Sequence, residues 1–168
     1  MPENEHGIDL PDDIEFQRKS WRVQRIGWVA MLAIAVAALL GLFGNGPLSS
    51  ARAGGAGSGL SITYERFTRK GAQHSIDVEA GPSSVVSDSV RIWIAREWVD
   101  ANHVVGITPE PARSDVHPDR IVYTFNASRS DKPIAIRFEL EAQWLGSRRG
   151  TAGIVNGPTV EFGQFAYP

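Results

Sequence analysis

The chain has 168 residues, of which 42% are hydrophobic, and it carries a formal net charge of −2 at pH 7 with a pI near 6.1. This length and composition are typical of one folded domain with appendages, and the nearly balanced charge disfavours nucleic acid as a partner. The sequence contains no cysteine, which excludes disulfides, thiolate metal sites and cysteine nucleophiles.

Residues 1–25 are predicted to form a cytoplasmic tail that ends in a short basic segment. The first 15 residues hold six acids and two prolines but no Lys or Arg, a composition that cannot bury enough apolar surface to fold alone. Residues 14–25 mix apolar and basic side chains. This pattern suits an amphipathic segment on anionic headgroups, but the interpretation that it favours is a simple orientation signal.

An uncharged stretch then predicts a transmembrane helix over residues 26–44. The sequence IGWVAMLAIAVAALLGLF at 26–43 would make about 27 Å of helix, against a hydrocarbon core of about 30 Å. Asn45, Gly46 and Pro47 are expected to end it. Several basic residues precede the span, whereas Arg52 is the only basic residue among the sixteen that follow residue 43. The predicted location is therefore the bacterial inner membrane, with a cytoplasmic N-terminus and a periplasmic C-terminal domain.

Two sets of residues in and beside this helix are candidate contacts. Aromatic and basic side chains at its start suit the headgroup level of a membrane, namely Trp21, Arg22, Arg25 and Trp28. Small residues recur every four positions and would let another helix approach closely, namely Ala33, Ala37 and Gly41. The expected partners are therefore the bilayer and a second membrane protein. The alternative for the small residues is that alanine is common in membrane spans.

The segment after the span allows a second interpretation. Ala51, Arg52 and Ala53 have the small-x-small form of a signal-peptidase site, so cleavage would release a secreted or periplasmic protein. The apolar stretch is longer than the usual 7 to 15 residues of a signal, which favours the anchor. Residues 45–60 are rich in Gly, Ala and Ser and predict a flexible linker.

Alternation of apolar and polar residues predicts a mainly β domain over residues 61–168. The alternating positions are Ile62 and Tyr64; Ile76 and Val78; Val90, Ile92 and Ile94; residues 104–107; Ile121, Tyr123 and Phe125; Ile134, Ile136, Phe138 and Leu140; and Val160 and Phe162 leading to Phe165 and Tyr167. About seven strands with turns every ten residues predict an antiparallel β-sandwich. Residues 96–102 are the one helical candidate, and the glycines at 146–153 are interpreted as turns. The strand rhythm resembles immunoglobulin-like sandwiches of bacterial envelope proteins, without the Cys-Trp-Cys pattern.

The best candidate for chemistry is the group Asp115, His117 and Asp119, which could bind a divalent cation or act as acid and base. It falls in a predicted connection, where Asp and His-Pro are common turn formers. Nucleophile-elbow and phosphate-loop motifs are absent from the sequence. We therefore predict no enzymatic activity, no cofactor and no metal, and leave a small-molecule ligand open. His74 is interpreted as a polar surface residue.

A predicted hairpin tip provides a candidate partner contact. Trp144, Arg148 and Arg149 place an indole beside two guanidinium groups, which suits an acidic partner or anionic headgroups. Alternatively, Trp144 completes the core and the arginines keep the tip soluble. Trp93 and Trp98 are predicted to be core residues. The leading hypothesis is a non-catalytic, single-pass accessory or assembly component of the inner membrane, and the alternatives are a ligand-binding or sensor module and a secreted sandwich protein.

Overall fold

The structure is a computed structural model that describes residues 14–39, 49–128 and 132–168. The chain divides into two compact units, residues 1–39 and residues 40–168. The predicted end of the membrane span, with Gly41, Asn45, Gly46 and Pro47, lies outside the described residues.

In the first unit the structure describes residues 14–39, which form the helix α1, Ile14–Leu39. It continues without a break through the basic segment, because the residues from Gln17 to Ile26 include neither glycine nor proline. Its part Ser20–Leu39 is long and apolar enough to cross a membrane. A helix near an N-terminus with this composition fits both a membrane span and a signal sequence.

The second unit is built almost entirely of β-strands. They are β1 Ser50–Gly55, β2 Leu60–Glu65, β3 Phe67–Arg69, β4 Gln73–Ala80, β5 Ser89–Ala95, β6 Asn102–Thr108, β7 Arg113–Val116, β8 Arg120–Asn126, β9 Ile134–Ala142, β10 Gly146–Ile154 and β11 Thr159–Tyr167. The short helix α2, Arg96–Asp100, connects β5 to β6, within the region predicted to be helical. The mainly β prediction is confirmed.

The strands form two sheets that pack face to face. The five-stranded sheet has the order β1-β2-β4-β9-β6, and the six-stranded sheet has the order β3-β11-β10-β5-β8-β7. All strand pairs are antiparallel except β3 with β11, which is parallel. One hydrophobic core takes side chains from both sheets. The rings of Tyr123 and Phe138 meet across the gap at a centroid distance of 5.3 Å. Burial of these inward rows provides the main stabilisation of the sandwich.

Most of the predicted alternating positions face this core, with one change of phase at the C-terminus. Val160 and Phe162 are buried, but the next inward positions are Gln164 and Ala166. Phe165 lies on the outer face and is 43% exposed. Regular alternation within β11 therefore corrects the prediction that Phe165 continues the apolar inward row.

Residues 50–60 correct the predicted linker. Ser50–Gly55 form β1, which pairs with β2 from Ser50↔Glu65 to Gly55↔Leu60. As an edge strand, β1 inserts only small side chains, Ala51 and Ala53, toward the core, so it lacks the large apolar residues that mark the other strands. The folded unit therefore starts before residue 61, and residues 45–48 of the predicted linker lie outside the described residues.

Residues 146–154 also differ from the prediction, because the supposed turns form the central strand β10. Its glycines make room for aromatic rings on both faces of the sheet. A Cβ at Gly150 would lie 2.8 Å from Cδ1 of the buried Trp98, and a Cβ at Gly153 would lie 2.7 Å from Nε1 of Trp93. Glycine within a strand here indicates close approach of a ring rather than a turn.

Candidate functional site

The candidate residues for chemistry, Asp115, His117 and Asp119, lie on a β-hairpin formed by β7 and β8. Asp115 lies on β7 and pairs with Arg113, Nε to Oδ1, at 2.7 Å. Asp119 pairs with Arg120, Nη2 to Oδ2, at 2.6 Å, and hydrogen bonding to this guanidinium lowers the pKa of the Asp119 carboxyl. The His117 side chain is exposed, and its backbone N–H donates to the Arg120 carbonyl. Within residues 14–39, 49–128 and 132–168, no group of three His, Asp or Glu side chains is arranged to hold a metal.

The predicted contact residues at 144–149 are separated by the fold. Trp144 is buried, and its Nε1 donates to Oδ1 of Asn102 at 3.3 Å. Arg148 lies 3.5 Å from the Glu97 carboxylate and stacks 6.0 Å from the Trp144 ring. Arg149 is exposed and faces the opposite way, because Gly150 next to it faces the core. Trp144 and Arg148 therefore close one end of the sandwich, while Arg149 belongs to the outer face of the six-stranded sheet.

The outer face of the five-stranded sheet is acidic. Its strands place five carboxylates and two arginines there, namely Glu65, Asp77, Glu79, Glu139 and Glu141 with Arg52 and Arg137. Both arginines are neutralised within the face: Arg52 lies 2.6 Å from Glu79, and Arg137 lies 2.7 Å from Asp77. Among the described residues, the face therefore presents an excess of carboxylates over arginines.

The outer face of the six-stranded sheet has the opposite sign, and we call it the basic face. Its strands place five arginines and two carboxylates there, namely Arg69, Arg91, Arg113, Arg120 and Arg149 with Asp115 and Glu161. Within the described part of the chain, Arg113 and Arg120 have acidic partners, whereas Arg69, Arg91 and Arg149 make no ion pair. The face therefore presents an excess of unpaired guanidinium groups.

A tryptophan lies at the centre of the basic face. Trp93 is half-buried on β5 and lies over Gly153 of the neighbouring strand, whose missing side chain lets the indole approach the backbone. The Arg120 guanidinium stacks on this indole, 4.8 Å from the ring centroid. Trp98, in contrast, is 1% exposed and belongs to the core as predicted. Trp93 was predicted to be a core residue, but it lies on the outer face. The signal for this position was Gly153, which pairs with Trp93 and leaves room for the indole.

A cleft of about 280 Å³ opens at one margin of the basic face. It lies between the turn that precedes β5 and the turn that joins β10 to β11, and Ser84, Val86, Ser87, Ser89, Arg91, Ile154, Val155 and Asn156 line it. Arg91 is its one charged lining residue. The non-glycine residues with positive φ in the described chain all belong to these two turns: Ser87 at 51°, Asp88 at 56° and Asn156 at 63°.

His74 lies inside the sandwich, which corrects its interpretation as a surface residue. It is 4% exposed, because β4 places residue 74 on the same inward face as Ile76 and Val78. Burial lowers the pKa of the imidazole, and the backbone of Ala72 partly offsets this. Neither ring nitrogen makes a hydrogen bond of good geometry within the described residues. The alternation of β4 contained the signal, but the residue type was given more weight.

Comparisons with family models and with curated protein sequences found no match for this chain. Among solved structures, the chain is similar to a cohesin module from a family 33 glycoside hydrolase of Clostridium perfringens. The two are 12% identical, the TM-score is 0.42, and the alignment covers 64% of this chain and 94% of that module.

Proposed function

We propose that this chain is a non-catalytic, single-pass protein of the bacterial inner membrane that binds an acidic surface of another envelope protein through the basic face. In this proposal α1 is an uncleaved anchor with its N-terminus in the cytoplasm, and the sandwich lies in the periplasm. The observation that carries the proposal is the opposite charge of the two outer faces, with unpaired arginines on one of them.

The basic face has the properties of a protein-binding surface. Arginine and tryptophan are enriched where proteins bind one another, and a guanidinium forms two parallel hydrogen bonds with a carboxylate. Arg69 and Arg149 are exposed, unpaired within the described chain and held on ordered strands. Such pre-positioned charges speed the encounter with an acidic partner and disfavour basic ones. A partner with clustered Asp or Glu residues is therefore the occupant that we propose.

The helix supports the membrane part of the proposal. Trp21 and Trp28 are exposed on α1, and the Arg25 guanidinium stacks over Trp21 at 4.2 Å, an arrangement that suits the headgroup region. Ala33 and Ala37 lie one turn apart and leave room for a second helix. We also propose that the sandwich is immunoglobulin-like. Its two packed sheets with polar outer faces support this. Sequencing the N-terminus of the mature protein distinguishes an anchor from a cleaved signal.

Photocrosslinking in native membranes tests the partner surface. A photoreactive amino acid replaces Ser147 on the basic face and, as a matched control, Ser75 on the acidic face of the full-length protein. We expect a discrete crosslinked partner from position 147 alone, with its crosslinked segment rich in Asp and Glu. The double variant Arg69→Glu and Arg149→Glu should lower this yield at least fivefold, because charge reversal replaces attraction by repulsion.

The matched charge control is Glu139→Arg with Glu141→Arg on the acidic face, which should leave the crosslink at position 147 unchanged. Equal yields from positions 147 and 75, or a partner segment without acidic residues, would contradict the proposal. A crosslink from position 147 to the acidic face of a second copy of the chain would replace the proposed partner by self-association.

A further inference from the structure

The cleft at the margin of the basic face contains one unpaired positive charge. Arg91 is exposed, lines the cleft, and makes no ion pair or side-chain hydrogen bond within the described residues. An arginine that stays charged at every physiological pH and points into a concave site attracts an anion. A single guanidinium balances one negative charge, which favours a monoanion over a phosphate dianion.

Two further donors line the same cleft. The Ser87 hydroxyl and the Asn156 side-chain amide line the cleft and have no side-chain hydrogen bond among the described residues. The hydroxyls of Ser84 and Ser89 are already engaged, because they donate to the carbonyls of Gly59 and Val86 at 3.4 and 3.0 Å. The guanidinium fork matches the two oxygens of a carboxylate, and the hydroxyl and amide can donate to the remaining lone pairs.

The cleft also has apolar lining residues and a small volume. Val86, which is 68% exposed, lies on the turn before β5, and Ile154 and Val155 lie at the end of β10 and just after it. A volume of about 280 Å³ lies just below the range of about 300–1,000 Å³ for drug-sized ligands. The cleft therefore suits a carboxylate attached to a short apolar group.

Backbone hydrogen bonds hold the cleft in shape. The Val155 N–H donates to the Arg91 carbonyl at 2.9 Å, which ties the β10–β11 turn to β5. Val86 and Ser89 exchange backbone hydrogen bonds of 2.8 and 3.1 Å across the other turn. The positive φ angle of Ser87 is costly for a serine and persists where the surrounding structure enforces it. A site that is already formed loses less free energy in ordering when a ligand binds.

We propose that this cleft binds a monocarboxylate with a short branched apolar group, its carboxylate on Arg91 and its apolar group on Val86 and Ile154. The ligand is either a free short-chain acid or the C-terminus of a peptide. This inference goes beyond the proposed function, because the cleft is a small-ligand site and the partner surface of that proposal rests on Arg69 and Arg149.

Isothermal titration calorimetry of the full-length protein in mild detergent tests the site. The probes are isovalerate for a free acid, N-acetylvaline for a peptide C-terminus, N-acetylvalinamide as the same group without the carboxylate, and inorganic phosphate. We expect saturable binding of one or both carboxylates, at least tenfold weaker binding of the amide and phosphate, and at least a tenfold loss with Arg91→Gln. The matched control Arg137→Gln, which removes the same charge on the opposite outer face and outside the cleft, should bind as the wild type does.

A second variant protects the test against loss of folding. Asn156→Asp keeps a residue type that tolerates positive φ and adds a negative charge at the cleft, so it should also weaken carboxylate binding at least tenfold, with an unchanged unfolding midpoint. The proposal would be overturned if neither carboxylate bound saturably, or if the amide bound as tightly as the carboxylates. It would also be overturned by tighter binding of phosphate, or by wild-type binding of the carboxylates to Arg91→Gln. If the crosslink from position 147 forms but no carboxylate binds, only the ligand proposal for the cleft is rejected. If a carboxylate binds but the crosslink does not form, only the proposed partner surface is rejected.

Discussion

The two outer faces of the sandwich are built by the same strand alternation but carry opposite charge. On the outer face of the five-stranded sheet the arginines form ion pairs with neighbouring acids: Arg52 with Glu79, and Arg137 with Asp77. On the six-stranded sheet Arg69 and Arg149 have no acidic partner within the described residues. Net charge alone, at −2, hides this difference, because the two faces nearly cancel.

The comparison separates residues that hold the fold together from residues available for binding. An arginine paired on its own face has its hydrogen-bonding capacity partly used, and its removal acts on stability. An unpaired, exposed arginine contributes little to folding, so its removal should act on association with a partner. The contrast between the sheets can therefore be tested by measuring stability and binding on the same variants.

The largest expected effect concerns Gly150 of the six-stranded sheet. Its Cα packs under the rings of Trp98 and Phe162, and the Cβ of Gly150→Ala would lie 2.8 Å from Trp98 Cδ1. Both rings are almost fully buried and cannot move without opening the core. We expect a loss of about 2–3 kcal/mol in the free energy of unfolding, measured by urea denaturation of the full-length protein in mild detergent.

Gly163→Ala is the matched control for this substitution. Gly163 lies on the neighbouring strand β11, where an added Cβ meets no atom within 4 Å, so its stability should change by less than about 0.5 kcal/mol. Equal effects of the two substitutions would show that backbone propensity rather than ring packing decides the cost.

The glycines of β10 also show the limit of prediction from sequence. Large alternating residues, as in Ile92 and Phe125, predicted inward rows correctly because burial of such side chains dominates strand placement. β1 and β10 were missed because small residues carry no hydrophobic alternation, although both pair fully with neighbours. The basic face and the Arg91 cleft could not be predicted, because they depend on which strands become neighbours across long sequence distances.

The next effect concerns the inner side of the five-stranded sheet, where burial lowers the pKa of His74. Below its ordinary pKa of 6.5 the unfolded chain takes up a proton that the folded chain does not. Stability is therefore unaffected at higher pH and falls as the pH drops through 6.5, by at most about 1.4 kcal/mol per pH unit, until the folded-state pKa is reached. Urea denaturation between pH 7.5 and 5 measures this decrease.

His74→Leu should remove this component of the pH dependence without a loss of stability at pH 7.5, because Leu suits a site beside Ile76 and Leu140. Identical profiles for His74→Leu and the wild type would show that His74 does not destabilise the fold in acid.

The smallest effect returns to the difference between the outer faces. Glu79 accepts hydrogen bonds from Arg52 Nη2 at 2.6 Å and from Ser61 Oγ at 3.1 Å, and it thereby fastens the edge strand β1. Both ionic side chains are about half exposed, so Glu79→Ala should cost about 0.5–1 kcal/mol, with a smaller loss at high salt. Arg149→Ala on the basic face should leave stability unchanged and reduce the crosslink at position 147. Loss of stability on Arg149→Ala, or loss of the crosslink on Glu79→Ala, would show that the two faces do not divide these roles, because a paired charge and an unpaired one would then act alike.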